Sequence, residues 1–516
     1  MSPASQKSLE PVDPQAEVVA FLSSGRAFAD HQPPVRIDTH AASVFLSGER
    51  AWKLKRAVRF DYLDFSTPER RHAALDTELL LNRRTAPGLY RAVHSVTRGP
   101  NGQLAIDGEG TAVDWLLEMQ RFPDGVLLAE MASKAKLDPA MLLRLADRIS
   151  DFHAAADVAA TESGAARIQS VIDGNSVGLA AFPAIFDSAK VRSLHACLTD
   201  KVTGLATLLD KRGRTGRVRH GHGDLHLANI AMIDGEPTLF DCLEFSVELA
   251  TVDVLYDLAF LLMDFWHRGL HTEANIVFNR YLDRNPADED AIAVLPLFLA
   301  VRATIRAHVI AAQNARSGSA ATLVGQALAY FELATGLLED VTPRLIAIGG
   351  LSGTGKSTLA RALGGHLGRP PGARVLRSDV LRKQSTGAPL ETPLPATSYS
   401  PASSAAVYAE LGRLAAAALT GGHAVVADAV FSKREERDAI AAVATHASVA
   451  LAGVWLEAPS AVLLDRIASR GPDASDANAQ VASLQARIEI GNLGDWTTVS
   501  TSGAPDAVAD AALAAL

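Results

Sequence analysis

Two groups of residues in this chain have the types and the spacing for phosphate chemistry. The first is Gly350-Leu351-Ser352-Gly353-Thr354-Gly355-Lys356-Ser357, with Thr358 completing it. It fits G-x-x-x-x-G-K-[ST], a loop whose glycines let backbone N–H groups turn inward onto phosphate oxygens. Lys356 would neutralise the β- and γ-phosphates of a bound nucleotide, and the Ser357 hydroxyl would ligate Mg²⁺. The second group is His222-Gly223-Asp224-Leu225-His226-Leu227-Ala228-Asn229, with Asp241 about a dozen residues on. Phosphoryl transfer of the protein-kinase type needs such a set. One Asp takes the acceptor hydroxyl proton, and the Asn and a second Asp hold Mg²⁺ against the phosphates.

The surrounding patterns suit both groups. Arg344–Gly349 reads as a short apolar strand and Leu359–Leu367 as the opening of a helix, so the glycine loop sits between strand and helix. Ile230–Ile233 and Thr238–Asp241 read as a hairpin around Asp234-Gly235-Glu236-Pro237, which carries Asp241 back toward Asp224. Further back, Ala42–Leu46 and Ala51–Lys55 read as strands, and lysines alternate with apolar residues in Trp52-Lys53-Leu54-Lys55. One face of that strand is therefore basic. Pro68–Thr85 has a helical pattern, Val93–Val96 and Asp114–Phe122 read as strands, and Pro139–Ala156 as a helix. The stretch from Asp157 to Arg219 is mostly helical and ends in a basic segment. Helices are then expected at Asp253–His267, Glu273–Asp283 and Pro296–Glu339.

Beyond Thr342-Pro343 the pattern changes. Strands are expected at Leu345–Ile348, Arg374–Leu376, Ala424–Ala427, Val449–Leu456 and Thr497–Ser500, with helices between them. Such alternation implies a parallel sheet covered on both faces. The chain is accordingly divided into a flexible start over 1–15, a first domain over 16–341 and a second over 342–516. About 170 residues suffice for a core, so a fragment starting around Val341 is expected to fold alone.

Composition narrows the class. With 516 residues, 48% of them apolar and 21% charged, the chain is long enough for at least two globular domains. A net charge of −9 gives no support to a nucleic-acid partner, although a local basic groove formed by Arg382, Lys383, Lys433 and Arg434 is conceivable. The two cysteines, Cys197 and Cys242, have no metal-ligand spacing, as expected of a reducing cytoplasm. Met1–Gln15 lacks the apolar core of a signal peptide, and Leu258–Met263 is too short to span a bilayer, so no membrane role is expected.

The segment HGDLHLAN resembles the catalytic loop of aminoglycoside phosphotransferases and related small-molecule kinases. That resemblance implies a bilobal, protein-kinase-like domain in which Lys53 pairs the α- and β-phosphates and Glu78 holds Lys53 in place. It also sets Met119 beside adenine and makes Asp257 a brace for the catalytic loop. Three features depart from the pattern. Cys242-Leu243-Glu244 follows Asp241 in place of Phe-Gly, no glycine-rich loop precedes Lys53, and Lys55 shares its strand face. Lys53 and Lys55 are both left as candidates.

In the last third, GGLSGTGKSTLAR, RSDVLRK and VVADAVF resemble P-loop kinases of small molecules and polynucleotide ends. The resemblance makes Asp379 the base that activates the acceptor hydroxyl and Asp428 the carboxylate that orders Mg²⁺. Arg382 and Arg437 would meet the acceptor. Arg470, and less so Arg466, would act from a lid over Gly471–Ala477, and Gly503-Ala504-Pro505 would bracket adenine. Taken whole, the chain resembles a bacterial two-domain family that joins an aminoglycoside-phosphotransferase-like domain to a P-loop kinase-like domain. An ATP- and Mg²⁺-dependent kinase acting on a small-molecule hydroxyl is expected. A nucleotide sensor without transfer, or a polynucleotide 5′-kinase, is the alternative. The acceptor and the oligomeric state stay open.

Overall fold

The computed structural model describes residues 14–60, 63–317, 320–469, 473–478, 485 and 489–514. By internal contacts the chain forms two compact units. The first comprises Met1–Lys136, Ala155–Ala159 and Val218–Asp257, and the second comprises Leu137–Ala154, Ala160–Arg217 and Leu258–Leu516. This grouping follows packing rather than chain order, so the expected junction at Thr342-Pro343 lies inside the second unit.

The first unit opens with helix α1 (Ala16–Ser23) and strands β1 (Val35–Asp38), β2 (Ala42–Ser47) and β3 (Arg50–Lys55). A short hairpin follows, β4 (Arg59–Phe60) with β5 (Leu63–Asp64), then helix α2 (Pro68–Asn82). Strands β6 (Tyr90–Arg98), β7 (Leu104–Ile106) and β8 (Thr111–Gln120) complete an antiparallel sheet in the order β1-β2-β3-β8-β6-β7. The alternation read in Trp52–Lys55 has a physical consequence. Trp52 and Leu54 pack with Val18, Phe21 and Leu22 of α1 on one face of the sheet. Lys53 and Lys55 therefore point to the other face, where α2 lies. That helix begins where the sequence allows it: the Thr67 side chain caps the Arg70 N–H, and Pro68 occupies the first turn.

Next in the chain are α3 (Leu128–Ser133), α4 (Pro139–Ala155) and α5 (Gly164–Ala180). They are followed by α6 (Ser188–Arg214) and β9 (Val218–His220), after which β10 (Ile230–Ile233) and β11 (Glu236–Leu239) form the expected hairpin. Next come α7 (Val247–Ala250), β12 (Thr251–Asp253) and α8 (Val254–His267).

In the second unit, α9 (His271–Arg284), α10 (Leu295–Ser317) and α11 (Ala321–Gly336) form a helical layer. The single helical stretch expected over Pro296–Glu339 is thus two helices. Among the described residues one stretch, Pro286–Arg316, is long and apolar enough to cross a membrane, and most of it is buried inside the protein.

The parallel sheet follows the expected alternation. Its elements are β13 (Arg344–Gly350), α12 (Lys356–Gly364), β14 (Arg374–Arg377), α13 (Ser378–Thr386), α14 (Pro401–Thr420), β15 (Val425–Asp428) and α15 (Arg434–His446). They continue with β16 (Ala450–Glu457), α16 (Ser460–Ala468), β17 (Thr497–Ser500) and α17 (Pro505–Ala514). Five strands run parallel in the order β14-β15-β13-β16-β17. On one face Leu359, Leu363, Val508 and Ala512, from α12 and α17, close a core with Ile346, Ile348, Val426 and Val454. Helices α14 and α15 cover the other face.

The helical layer and this sheet share buried polar contacts within the second unit. Arg374, 1% exposed, donates to Asp283, Glu289 and Asn279. Asn275 donates to the carbonyls of Pro371 and Ala373. These contacts set α9 against the start of β14.

Candidate active sites

The first site lies within the first unit. Lys53 donates to Glu78 Oε1 at 2.6 Å and to Asp241 Oδ1 at 2.8 Å. Lys55 pairs with Glu78 Oε2 at 2.6 Å and with Glu244. Glu78, fully buried mid-way along α2, therefore bridges two ammonium groups. This separates the two candidate lysines. Lys53 joins the helix glutamate to the metal-type aspartate, whereas both contacts of Lys55 are carboxylates away from Asp241. Burial alone would lower the Lys53 pKa, but Asp241 and Glu78 outweigh it and raise it well above the ordinary range. Burial likewise works to raise Asp241, and Lys53 overcomes it and lowers it. Both groups are held charged.

Asp241 has φ +61°, a left-handed conformation that costs a non-glycine residue energy unless its neighbours impose it. They do so residue by residue. The Tyr90 hydroxyl accepts the Asp241 N–H at 3.0 Å, Asn82 Oδ1 accepts that of Cys242 at 2.8 Å, and the His222 carbonyl accepts that of Leu243 at 2.9 Å. The Lys55–Glu244 pair holds the end of the segment. The departure Cys-Leu-Glu after Asp241 is thus a clamp held at each residue.

The segment His222–Asn229 is braced by Asp257, which accepts the N–H groups of His222 at 2.7 Å and Gly223 at 2.9 Å. Gly223, at φ +80°, is required there, because a Cβ would stand 2.9 Å from that of Leu243. Asn229 donates to the Asp224 carbonyl and carboxylate, each at 3.0 Å. His226 accepts the Ala228 N–H through its ring, a loop-capping role. Met119 lies near the end of β8, opposite Ala51 and Tyr90. Ser43, on β2 ahead of Lys53, donates to Asp38 Oδ1 at 2.6 Å.

The second site lies at the carboxyl ends of the parallel strands, where open α/β sheets bind ligands. Gly350, Gly353 and Gly355 have φ of +141°, +86° and +90°. At Gly353 a Cβ would come 2.8 Å from the Leu463 carbonyl, so only glycine forms this cradle. Lys356 Nζ lies across the loop, donating to the Gly350 and Leu351 carbonyls at 2.8 and 3.0 Å. Ser352 N–H donates to Gln485 Oε1, and Thr354 Oγ1 closes the loop on the Leu351 carbonyl. Thr358, on the first turn of α12, lines a cavity of about 150 Å³ with Arg466, Thr501, Gly503 and Pro505. Arg466 donates to Thr501, so its observed place is beside that cavity.

Ser357 donates to Asp428 at 2.6 Å, which joins the two expected metal-binding oxygens. Arg377 is the register partner of Asp428 across the sheet, and Asp379, two residues later, lies in the first turn of α13. The Asp379 carboxyl does not cap its helix; it is an acid in the first turn. Burial raises its pKa, with Asp428 adding to the rise and Arg377 and Lys356 opposing it. Arg377 itself was not singled out from the sequence. It forms a bidentate pair with Asp473 at 3.0 and 2.9 Å and reaches 3.6 Å from Asp428. Burial would raise Asp473, but Arg377 draws it down to about 2.

The other predicted cations are placed differently. Arg382 donates to the Ser398 carbonyl and stacks over Tyr399 at 4.7 Å. Arg437 donates to four backbone carbonyls, of Phe431, Ser432, Ile490 and Asn492, and so anchors loops instead of facing an acceptor. Lys383 is fully buried against Asp476. Of the four cations of the expected basic groove, Arg382 and Lys383 are thus engaged internally, whereas Lys433 and Arg434 are exposed. Arg470 lies outside the described residues. Among the described residues no group of three or more His, Cys, Asp and Glu could hold a metal ion. One carboxylate with one neutral oxygen ligand at each site instead suits Mg²⁺ shared with substrate phosphates.

The family described as AAA domain matches residues 345–489. Protein Rv2004c of Mycobacterium tuberculosis (strain H37Rv) is 30% identical over 481 residues, covering 90% of this chain and 92% of that one. Protein Mb2027c of Mycobacterium bovis matches to the same extent. Among solved structures, a choline/ethanolamine kinase family protein from Mesorhizobium loti has 15% identity and TM-score 0.42, covering 63% of this chain and 95% of its own. A gluconokinase from Sinorhizobium meliloti 1021 has 22% identity and TM-score 0.26, covering 34% of this chain and 91% of its own.

Proposed function

Because the chain belongs to the bacterial family of Rv2004c, which joins an aminoglycoside-phosphotransferase-like domain to a P-loop kinase-like domain, we propose that it is an ATP-dependent phosphotransferase with two nucleotide sites. The P-loop site transfers the γ-phosphate to a hydroxyl of a small molecule. One observation carries this reading. Asp379 stands two residues past Arg377, the register partner of Asp428, so a half-buried carboxylate in the first turn of α13 lies near the Ser357–Asp428 pair. A pure nucleotide sensor has no need of a base there.

The chain's own groups divide the work. Backbone N–H groups of the loop from Gly350 to Thr358 cradle phosphate oxygens. Lys356 turns from its carbonyl contacts onto the β- and γ-phosphates, where its charge offsets what develops during transfer. Asp379 orients the acceptor hydroxyl and takes its proton. Ser357 and Asp428 would hold Mg²⁺, which when bound neutralises phosphate charge. In the first unit Lys53 would meet the α- and β-phosphates, with Asn229 and Asp241 as metal ligands and Asp224 as the base. A small-molecule acceptor, a cytoplasmic location and no membrane or nucleic-acid partner complete the proposal. The spent Arg382, Lys383 and Arg437 favour it over a polynucleotide kinase.

Equilibrium binding of a non-hydrolysable ATP analogue tests it. Saturation is expected near two per chain. Lys356→Ala should remove one site, and Asp241→Ala should weaken the other. Saturation at one, with Asp241→Ala silent, would reduce the first unit to a scaffold. A panel of metabolites and oligonucleotides incubated with labelled ATP then identifies the acceptor. Label on no acceptor at all would favour the sensor.

A further inference from the structure

A cavity of about 900 Å³ lies in the first unit beside α2 and adjoins the first site through Glu244. Its lining does not include Asp224 or Asp241. One wall is a single face of α2, where Arg70, Ala73, Ala74 and Thr77 recur at helical spacing. The aromatic rings of Phe60, Phe65 and Phe245 supply apolar surface, and Arg59 and Glu244 complete the polar lining. The volume falls in the range of small-molecule sites, as does the mixture of apolar wall and few charges.

The charges choose the ligand. Arg59 and Arg70 share one carboxylate, Asp64, with Arg59 at 3.6 Å. The other lining carboxylate, Glu244, pairs with Lys55 behind it, which Glu78 also holds. At the Asp64 end two guanidiniums, 79% and 54% exposed, face a single carboxylate. A guanidinium pairs well with carboxylate, sulfonate or phosphate oxygens. The cavity also touches the two elements that set up Lys53. Thr77 precedes Glu78 on α2, and Glu244 ends the clamp that starts at Asp241. Anything seated there bears on both ends of the Lys53 network.

We propose that this cavity binds an amphipathic organic monoanion and that its occupancy tunes nucleotide affinity at the Lys53 site. The apolar body packs against Phe60, Phe65 and Phe245, and the anionic group meets Arg59 and Arg70. The tuning rests on the reading that the Lys53 site holds nucleotide; the binding does not.

The test uses the full chain carrying Lys356→Ala, so that the P-loop site is silent, and follows the fluorescence of anilinonaphthalene sulfonate. The dye should saturate near one per chain, and its uncharged parent, phenylnaphthylamine, should bind more weakly. Ala74→Trp should abolish binding by filling the cavity. Arg59→Glu, at an exposed position where folding is not at stake, should weaken it by about tenfold. Saturating dye should shift the affinity for an ATP analogue by about fivefold, and the analogue should shift the dye equally. Dye binding unchanged by both substitutions would overturn the site. Unchanged nucleotide affinity with the dye bound would overturn the tuning. Absence of nucleotide binding while the dye still saturates would overturn the nucleotide reading of Lys53, and the tuning with it.

Discussion

Replacing Arg374 with methionine should loosen α9 and β14 together. The guanidinium is 1% exposed and donates to Asp283 Oδ1 at 2.9 Å, Glu289 Oε2 at 3.0 Å, Asn279 Oδ1 at 2.9 Å and the Val375 carbonyl at 2.8 Å. Asp283 and Glu289 have side chains only 11% and 6% exposed, so neither can recover its hydration when the cation goes. Breaking a buried pair of this kind by removing one partner costs about 3–5 kcal/mol. That is a large share of the roughly 5–15 kcal/mol that holds a domain. The assay is amide hydrogen exchange on the full chain, read on peptides covering His271–Arg284 and Arg374–Arg377. At that cost both should exchange roughly 10²–10³-fold faster, since ~1.4 kcal/mol is tenfold. Adding Asp283→Leu and Glu289→Met should return most of the loss, because an apolar replacement of the whole cluster leaves no stranded charge. Acceleration confined to β14, or a loss below about 1 kcal/mol, would show that the cluster does not join helix to sheet. The same packing bears on the fragment starting at Val341, which would keep Arg374 and lose Asp283, Glu289 and Asn279. It is expected to be molten or insoluble, contrary to what chain length alone suggests.

Other outcomes follow from the two sites. Asp379→Asn should spare ATP binding and lower turnover by roughly 10²–10⁴-fold, as steady-state kinetics on the labelled acceptor would show; full activity, with Asp224→Asn inactive, would move the chemistry to the first unit. Burial raises the Asp379 pKa, and a base must be deprotonated, so the acid limb of kcat/KM should lie above the ordinary carboxylate range. Asp473 is lowered to about 2, so its pair with Arg377 contributes stability that is complete above the unfolded carboxylate value near 3.8. That stability is lost as pH falls toward 2, and acid titrations of wild type and Asp473→Asn, followed by circular dichroism, should differ fully above that window and converge across it. Gly353→Ala, whose Cβ would meet the Leu463 carbonyl at 2.8 Å, should remove the P-loop nucleotide site in calorimetry and leave the other intact.

Much of the geometry of the two candidate sites was legible along the chain, because it is local. A phosphate cradle is a few successive backbone N–H groups, so Gly350–Ser357 shows in the sequence as glycines at fixed spacing. Asp224, Asn229 and Asp241 sit on one loop and the hairpin after it, and the hairpin appeared at Ile230–Leu239. The period of two in Trp52–Lys55 likewise placed both lysines on one face before any fold was known. What spacing could not decide was which partner each charge meets, since that depends on elements far apart in the chain. Lys53 and Lys55 are equivalent in sequence. They differ only because Asp241 approaches one and Glu244 the other, 188 and 189 residues away. Arg437 had the residue type for an acceptor site, yet loop carbonyls at Phe431 and Asn492 take its donors. Arg374 read as the first residue of an apolar strand. Its burial against Asp283 and Glu289, which ties the helical layer to the sheet, comes from packing between segments about ninety residues apart. Local hydrogen-bonding geometry is written into the sequence, whereas the pairing of buried charges is decided by which surfaces the hydrophobic cores bring together.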